Sequence, residues 1–388
     1  MTEAAERRLP GDNRALASVA TQFFINGAVV SSYVPRLPGL RDRLDIDLRT
    51  IGTLIALATL GGLFGSAMVS SLLARFGTKW TMTGGSLLLV LVLPIVGVVN
   101  ATWQLMVVLG LIGAADVVTD VAMNVQGSAI SERRRAPVMN RLHGMWSLGT
   151  VVGGGVASLM AALDISLQTH LAAAGAVLLI TLGFVVPGLR TDHDVPVAPS
   201  TKDTSSGGRL VVLFAILGAA AIIPEMVNSD WAAFRLTDDL AMSSGVAALA
   251  YVAFTTGMVV GRFSGDQAVV RLGSYRLLQA ATIVAAVGVA TAMLLPNAVF
   301  AFVGLFIAGL GVSVMFPQLY DNAARSPRPG PALAGLTAGS RLALVVAPAL
   351  VGVLADLNSM TVGSAIAIVT IPAAVALLGL TPRPAPAP

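Results

Sequence analysis

The chain has 388 residues, of which 55% are hydrophobic and only 11% are Asp, Glu, Lys or Arg. Because soluble proteins carry roughly 25% charged residues, this composition excludes an ordinary soluble fold. The net charge of +4 comes from basic residues scattered through short segments, which argues against nucleic-acid binding. The chain has no cysteine, which excludes disulfides, thiolate nucleophiles and cysteine-ligated metal sites.

Ten long stretches of the chain contain no Asp, Glu, Lys or Arg. Most are about 20 residues or longer, the length that a helix needs to cross the hydrocarbon core of a bilayer. The stretches Lys79–Asp116 and Arg276–Asp321 are long enough for more than one crossing. We therefore predict an all-α membrane protein with twelve transmembrane helices, at residues 15–36, 50–74, 80–99, 103–129, 138–162, 167–188, 210–234, 243–264, 275–295, 298–322, 332–355 and 361–381.

The segment 190–209 is polar, rich in Pro, Ser and Gly, and has no apolar period. It separates the twelve predicted spans into two groups of six. We expect an N-terminal bundle at 1–189, a linker at 190–209 and a C-terminal bundle at 210–388. Spans two and eight are each followed by a basic segment with a glycine, at 75–79 and 271–276, and this internal repeat is typical of transporters.

An even number of spans places both termini on the same side of the membrane. That side receives most of the Lys and Arg residues outside the spans, and the positive-inside rule identifies it as cytoplasmic. The apolar run after the first 14 residues is too long for a signal-peptide core, so we retain it as the first span. The expected location is the inner membrane, with both termini in the cytoplasm.

With twelve spans, a repeat of six and basic segments after spans two and eight, the chain resembles the major facilitator superfamily along essentially its whole length. The family's segment carries an acid before its Arg, where this chain has Ala74 and Val270. Asp266 lies one helical turn before Val270 and can substitute for that acid. The resemblance implies two six-helix bundles, no enzymatic activity and no cofactor or metal. It also implies gating roles for four residues: Arg75, Lys79, Asp266 and Arg271.

Three short segments narrow the resemblance to bacterial members near the fucose and sugar permease branch. They are residues 124–127, 143–149 and 261–266. Gly144, Gly149 and the run at 153–155 lie in span five, where the family's antiporters carry a motif with a Pro. Because that Pro is absent here, we interpret these glycines as sites of tight helix packing.

Span four carries Asp116, Asp120 and Asn124 at intervals of four residues, which places them on one stripe of the helix. Two carboxylates at membrane depth are unfavourable unless they face a wet cavity or hold a proton. We predict that Asp116 and Asp120 are proton-coupling groups and that Asn124 contacts substrate. The alternative is a static ion pair that holds two helices together.

His143 begins span five at about the same depth as Asn124 and is a candidate proton relay, although a structural role is also open. Trp146, one turn further on, is a candidate substrate contact. In span seven, Pro224 removes a helical hydrogen bond beside Glu225, so we expect a kink and a proton-coupling role for that acid. Asn228 shares the face of Glu225 and is assigned to substrate, whereas Asp230 and Trp231 are equally well explained as anchors near the outer interface.

Two other spans offer amide and aromatic side chains, which suit a neutral polar solute such as a sugar. They are Gln22, Asn26 and Tyr33 in span one, and Phe316, Gln318 and Tyr320 in span ten. For each residue, hydrogen bonding between helices is an open alternative. These side chains complete the predicted substrate site.

Arg341 lies inside span eleven, roughly 12 Å from its cytoplasmic end, and needs a partner there. We hypothesise that it pairs with Asp116 or Asp120 when the cytoplasmic side is closed, and that protonation or substrate releases the pair. Asp321 or Glu225, in the same half of the chain, is the structural alternative. Arg341 is therefore a predicted gate.

The sequence favours a secondary transporter that works as a monomer in the lipid bilayer and couples protons to a small polar solute. Proton-driven efflux of amphipathic drugs is the main alternative. Asp116 and Asp120 also resemble half of a metal-diphosphate site, but the second acidic cluster that an intramembrane enzyme needs is missing. A receptor or scaffold is disfavoured because the chain has no sizeable soluble segment.

Overall fold

The structure is a computed structural model and describes residues 10–134, 138–190, 208–357 and 359–381. Thirteen α-helices account for most of these residues. In chain order they are α1 Pro10–Tyr33, α2 Leu37–Leu44, α3 Leu48–Val98, α4 Thr102–Arg134, α5 Met139–Ala162, α6 Leu167–Val185, α7 Gly208–Phe234, α8 Ser244–Leu272, α9 Ser274–Leu294, α10 Ala298–Val312, α11 Met315–Ala324, α12 Pro329–Ala355 and α13 Val362–Leu380.

Eleven helical stretches in the described part of the chain are long and apolar enough to cross a membrane. One of them, α3, has 51 residues and contains a non-helical residue, Gly77, at φ 72° and ψ 173°. A straight helix of that length would be about 77 Å long, more than twice the thickness of the hydrocarbon core. If the segments before and after Gly77 are counted separately, α3 provides two spans. The total is then twelve spans, as the sequence predicts.

The contacts of α3 with α4 show that the chain reverses direction at Gly77. A Cβ at Gly65 would overlap the carbonyl oxygen of Ala114, and a Cβ at Gly85 would lie 3.3 Å from that of Ala115. Twenty residues separate these glycines, and a straight helix would hold them about 30 Å apart. They meet adjacent residues of α4 because α3 folds back, with glycine supplying the positive φ that the turn requires.

Two helices differ from the predicted elements. Predicted span ten is interrupted at Ser313 and Val314, so α10 and α11 are separate helices. The first span is followed by a 3₁₀ turn at Val34–Arg36 and the short helix α2, which has Pro38 at its second position and is capped by Asp45 at φ 51°. The sequence did not predict α2, because eight residues with three charges have no membrane-spanning pattern.

The described residues form two compact units. Of these residues, unit 1 contains 10–33, 58–134, 138–153 and 166–190, and unit 2 contains 34–57, 154–165, 208–357 and 359–381. Unit 2 therefore includes α2, the start of α3 and the end of α5 together with α7–α13. The predicted division at 190–209 stays a prediction, since residues 191–207 lie outside the described part of the chain.

Within unit 2, α7 and α12 pack closely through small residues. A Cβ at Gly339 would overlap the carbonyl oxygen of Ala215, and a Cβ at Gly218 would overlap that of Leu336. Backbones approach this closely only where side chains are absent, as is usual between membrane helices. This contact fixes α7, which carries both acids of span seven.

Candidate functional site

The first part of the candidate site lies in unit 1, where three helices meet at Asn26. Asn26 on α1 is 2% exposed, and its Nδ2 donates a hydrogen bond to Asp116 Oδ1 on α4 at 2.8 Å. The indole Nε1 of Trp146 on α5 donates to Asn26 Oδ1 at 2.9 Å. A single amide therefore joins α5 to the Asp116 carboxylate.

The close approach of α1 and α5 makes this hydrogen-bond chain possible. A Cβ at Gly27 would overlap the carbonyl oxygen of Trp146, and a Cβ at Gly149 would overlap that of Phe24. With two glycines in the contact, the backbones come close enough for the Trp146 indole to reach Asn26. The packing role predicted for the glycines of span five thus has direct geometric support at Gly149.

The stripe predicted on α4 forms a row of polar groups. Asp120 interacts electrostatically with Asp116. Asn124 Nδ2 donates to both the backbone oxygen and Oδ1 of Asp120, at 2.8 and 3.0 Å. All three side chains are half-buried. The row offers carboxylate oxygens that can bind either a proton or the hydroxyl groups of a solute.

Gln22 lies one turn before Asn26 and is fully buried. Its Nε2 donates to the hydroxyl of Ser86 on α3, which in turn donates to the Met82 carbonyl at 2.8 Å. Its Oε1 has no hydrogen-bond partner among the described residues. Gln22 therefore links two helices and keeps one free acceptor.

His143 and Tyr33 have different surroundings. The exposed His143 ring meets the buried Phe23 edge-to-face, with centroids 5.2 Å apart. Tyr33 is 9% exposed at the end of α1. The structure thus brings together six predicted site residues of unit 1: Gln22, Asn26, Asp116, Asp120, Asn124 and Trp146. Their roles, like those of His143 and Tyr33, stay predictions.

In unit 2, Glu225 has a cationic partner. Arg262 Nη2 on α8 lies 3.2 Å from Glu225 Oε1, and the side chains are 30% and 15% exposed. Helix α7 continues through Pro224, and Asn228 Nδ2 donates to the Pro224 carbonyl at 2.7 Å. Asn228 therefore uses a donor within its own helix, and its Oδ1 has no partner among the described residues.

The predicted substrate residues of span ten lie near the break between α10 and α11. Gln318 Oε1 accepts a hydrogen bond from Ser274 Oγ at the start of α9, at 2.8 Å. Phe316 is half-buried, and Tyr320 is 50% exposed. Gln318 thus bonds between helices, which is the alternative that the sequence left open.

The structure narrows the choice of partner for Arg341. Glu225 pairs with Arg262, and Asp321 pairs with Arg325 at 2.8 Å. Among the described residues, Arg341 forms no ion pair with either acid. Its pairing with Asp116 or Asp120 stays a prediction.

The other predicted gating residues lie beside Gly77 in α3 and in the last two turns of α8. Arg75 and Lys79 lie over the rings of Phe76 and Trp80, at 5.2 and 5.5 Å from the ring centroids. Arg271 is exposed near the end of α8, and the side chain of Asp266 is outside the described part. Their gating roles stay predictions.

Sequence reasoning missed two charged contacts in unit 2. It included Arg262 in segment 261–266 and gave it no partner, whereas α8 continues to Leu272 and Arg262 pairs with Glu225. It assigned no contact to Arg41 or Asp238, but they form an ion pair, and the Arg41 guanidinium also lies over the Phe234 ring. The cluster of opposite charges at 36–49 and 235–239 was the available signal.

The sequence profile described as Major Facilitator Superfamily matches residues 19–330. The chain belongs to this superfamily. As a member of the Major Facilitator Superfamily, it is a multi-pass membrane transporter rather than an enzyme. It is 26% identical over 349 residues to an uncharacterised MFS-type transporter from Yersinia pestis, covering 88% of this chain and 89% of that one.

Solved structures show the same superfamily fold. A mutant of the nucleoside transporter NupG superposes with a TM-score of 0.73 at 14% identity, covering 94% of this chain and 98% of that one. A bacterial homologue of the human lysosomal transporter Spinster gives 0.67 at 13% identity, covering 96% and 94%. These likenesses confirm the all-helical superfamily fold.

Proposed function

We propose that this protein is a proton-coupled secondary transporter of a small polar solute rich in hydroxyl groups. The observation that supports it best is the bridge at Asn26, which joins the Trp146 indole to the Asp116 carboxylate. A carboxylate oriented by an amide can accept hydroxyl donors, and the same oxygen can accept a proton. Solute and proton would then act on one row of side chains.

The chemistry of this row favours a neutral, hydroxyl-bearing solute. Asn26, Trp146 and Asn124 supply amide and indole groups, and Asp116 and Asp120 supply acceptors. The hydroxyl groups of sugars can donate hydrogen bonds to the carboxylates and accept them from the amide and indole groups. The resemblance to the fucose and sugar permease branch agrees with this choice. Nucleosides belong in the same test, because NupG is described as a nucleoside transporter.

In the proposed cycle, protonation of Asp116 or Asp120 lowers the charge of the row and changes its affinity for solute. The protein then alternates between states open to either side, with both termini in the cytoplasm and the chain acting as a monomer. Arg341 is the proposed cation that pairs with this row in one of the two states. The coupling is reciprocal, because a solute that prefers one protonation state must also shift proton binding.

The test is uptake into proteoliposomes with an imposed pH gradient. The labelled probes are monosaccharides, uridine, an amino acid, a dicarboxylate and a cationic dye. We expect a sugar or uridine to accumulate with the gradient, and Asp116→Asn to abolish that accumulation. Asp164→Asn is the matched control, because Asp164 is exposed and its φ of 55° suits asparagine equally well.

Each outcome decides between the alternatives. If a sugar or uridine is taken up at the same rate with and without the pH gradient, proton coupling is disproved. Gradient-driven expulsion of the cationic dye, with no sugar or nucleoside transport, would establish drug antiport instead. Loss of uptake in the Asp164→Asn control would mean that the assay reports folding rather than coupling.

A further inference from the structure

Helix α7 carries two acids in different surroundings. Glu225 lies beside the guanidinium of Arg262, so its negative charge is balanced within unit 2. Asp230 lies five residues further on and is only 9% exposed. Asp230 forms no hydrogen bond or ion pair with any residue that the structure describes.

Several neighbours of Asp230 on its own helix are apolar and tightly packed. Val227, Trp231 and Phe234 are all fully buried. An ionised carboxylate is strongly disfavoured in such surroundings unless a cation or several donors compensate it. The neutral form, which carries a proton, avoids this penalty.

Among the described residues, the elements that pack against α7 provide no cation that pairs with Asp230. Helices α10 and α13 contain no titratable residue, and the side chain of Asp266 on α8 is not described. Within the described ranges, none of the other charged groups on these elements forms an ion pair with Asp230. Arg262 pairs with Glu225, Arg41 with Asp238 and Asp42, Arg235 with Asp239, and Arg325 with Asp321. The remaining described cations on these elements, none of which pairs with Asp230, are Arg36, Arg43, Arg271 and Arg341.

One titratable group does face Asp230. Tyr251 on α8 is 5% exposed and interacts electrostatically with both Asp230 and Glu225. A Cβ added at Gly154 would lie only 2.9 Å from the Tyr251 ring, so the end of α5 confines the ring. Tyr251 therefore stays beside Asp230 and adds no positive charge.

We propose that Asp230 is a second proton-binding carboxyl of this transporter and that the Glu225–Arg262 pair is a static structural contact. The proton comes from water and returns to water, forming and breaking one O–H bond on Asp230, and the solute is chemically unchanged. This inference rests on the proposed function, since it assigns the proton-carrying role in unit 2 to Asp230. It replaces the role predicted for Glu225.

Infrared difference spectroscopy of the full-length protein in lipid tests this assignment without any solute. A protonated carboxyl has its own C=O stretching band, and the proton is the probe. We expect a band that is present near neutral pH, declines as the pH becomes alkaline, and is missing in Asp230→Asn. Glu225→Gln should keep the band, and Asp230→Glu should restore a shifted one.

Three results would overturn the proposal: a band that Asp230→Asn leaves unchanged, a band that Glu225→Gln removes, or an Asp230 band that never responds to pH. Sodium ions that replace the proton and remove the band at constant pH would assign the site to a metal cation instead. The outcome is independent of the uptake assay. Gradient-independent uptake with a titrating Asp230 band would reject the proposed function alone.

Discussion

The guanidinium of Arg41 contacts both carboxylate oxygens of Asp238, a residue 197 positions further along the chain. The two side chains are 15% and 19% exposed, and the Arg41 guanidinium also lies 5.5 Å from the centroid of the Phe234 ring. Through this pair, α2 is attached to the end of α7 within unit 2. A segment that the sequence treats as a charged loop thus has a defined position.

We expect Arg41→Ala to lower the stability of the protein by about 1–3 kcal/mol, because it leaves the half-buried Asp238 without its cation. Asp42→Ala, on the same helix but with a side chain 58% exposed, should change stability by about 0–1 kcal/mol. Denaturation in detergent measures both. The charge swap Arg41→Asp with Asp238→Arg should recover part of the loss, and no recovery would contradict a direct pair.

At Asn26, a change to Leu removes both hydrogen bonds at similar volume. The Trp146 indole and the Asp116 carboxylate then lose their shared partner, which costs about 1–3 kcal/mol per unpaired group. We expect the initial rate of gradient-driven uptake to fall about 10-fold or more. Thr21→Val on the same helix is the control, because Thr21 bonds only the Ala17 carbonyl among the residues that the structure describes. Equal uptake rates for the Asn26→Leu and Thr21→Val variants would show that Asn26 is not part of the transport site.

The Glu225–Arg262 contact predicts a pattern in a double-mutant cycle. Glu225→Gln and Arg262→Gln should each destabilise the protein by about 1–3 kcal/mol, a range that reflects partial solvent exposure. The double variant should be more stable than the sum of the two losses predicts. Thermal unfolding of the four proteins gives the coupling energy. Additive losses would show that the two charges act separately.

The close contact of α7 and α12 predicts opposite effects for two Gly→Ala changes. Gly339→Ala would push a methyl group into the Ala215 carbonyl and should destabilise unit 2 by about 1–3 kcal/mol. Gly84→Ala places its methyl group in open space within α3 and should be neutral or stabilising by up to about 1 kcal/mol. Melting temperatures of the two variants check this, and an equal effect would contradict the packing.

The sequence predicted the twelve spans because a long run without charged residues can be read directly from neighbouring positions in the chain. Charges mark the ends of most helices to within a few residues. It failed where charged residues lie inside helices, so α8 extends past Arg262 to Leu272 and α4 extends to Arg134. A charge at a helix end and a charge paired within a helix look the same in one sequence.

The candidate site was predictable only in part. Helical spacing placed Asp116, Asp120 and Asn124 on one stripe, and Gln22 and Asn26 on another. Spacing does not say which stripes face each other, so the bond between Asn26 and Asp116 required the packing of α1, α4 and α5. Asp230 and Trp231 were interpreted as anchors near the outer interface, and their burial within the protein could not be predicted from one helix alone.

Gly77 is the whole connection between the two spans of α3, and its φ of 72° is a conformation that other residues adopt with strain. A one-residue link has no slack. The flanking segments are therefore mechanically tied at that end, and neither can slide along its axis without pulling on the other. Epitope tags, protease sites and added linker residues would be poorly tolerated at this turn. During any rearrangement in transport, the turn at Gly77 must move as a rigid unit with both flanking helical segments.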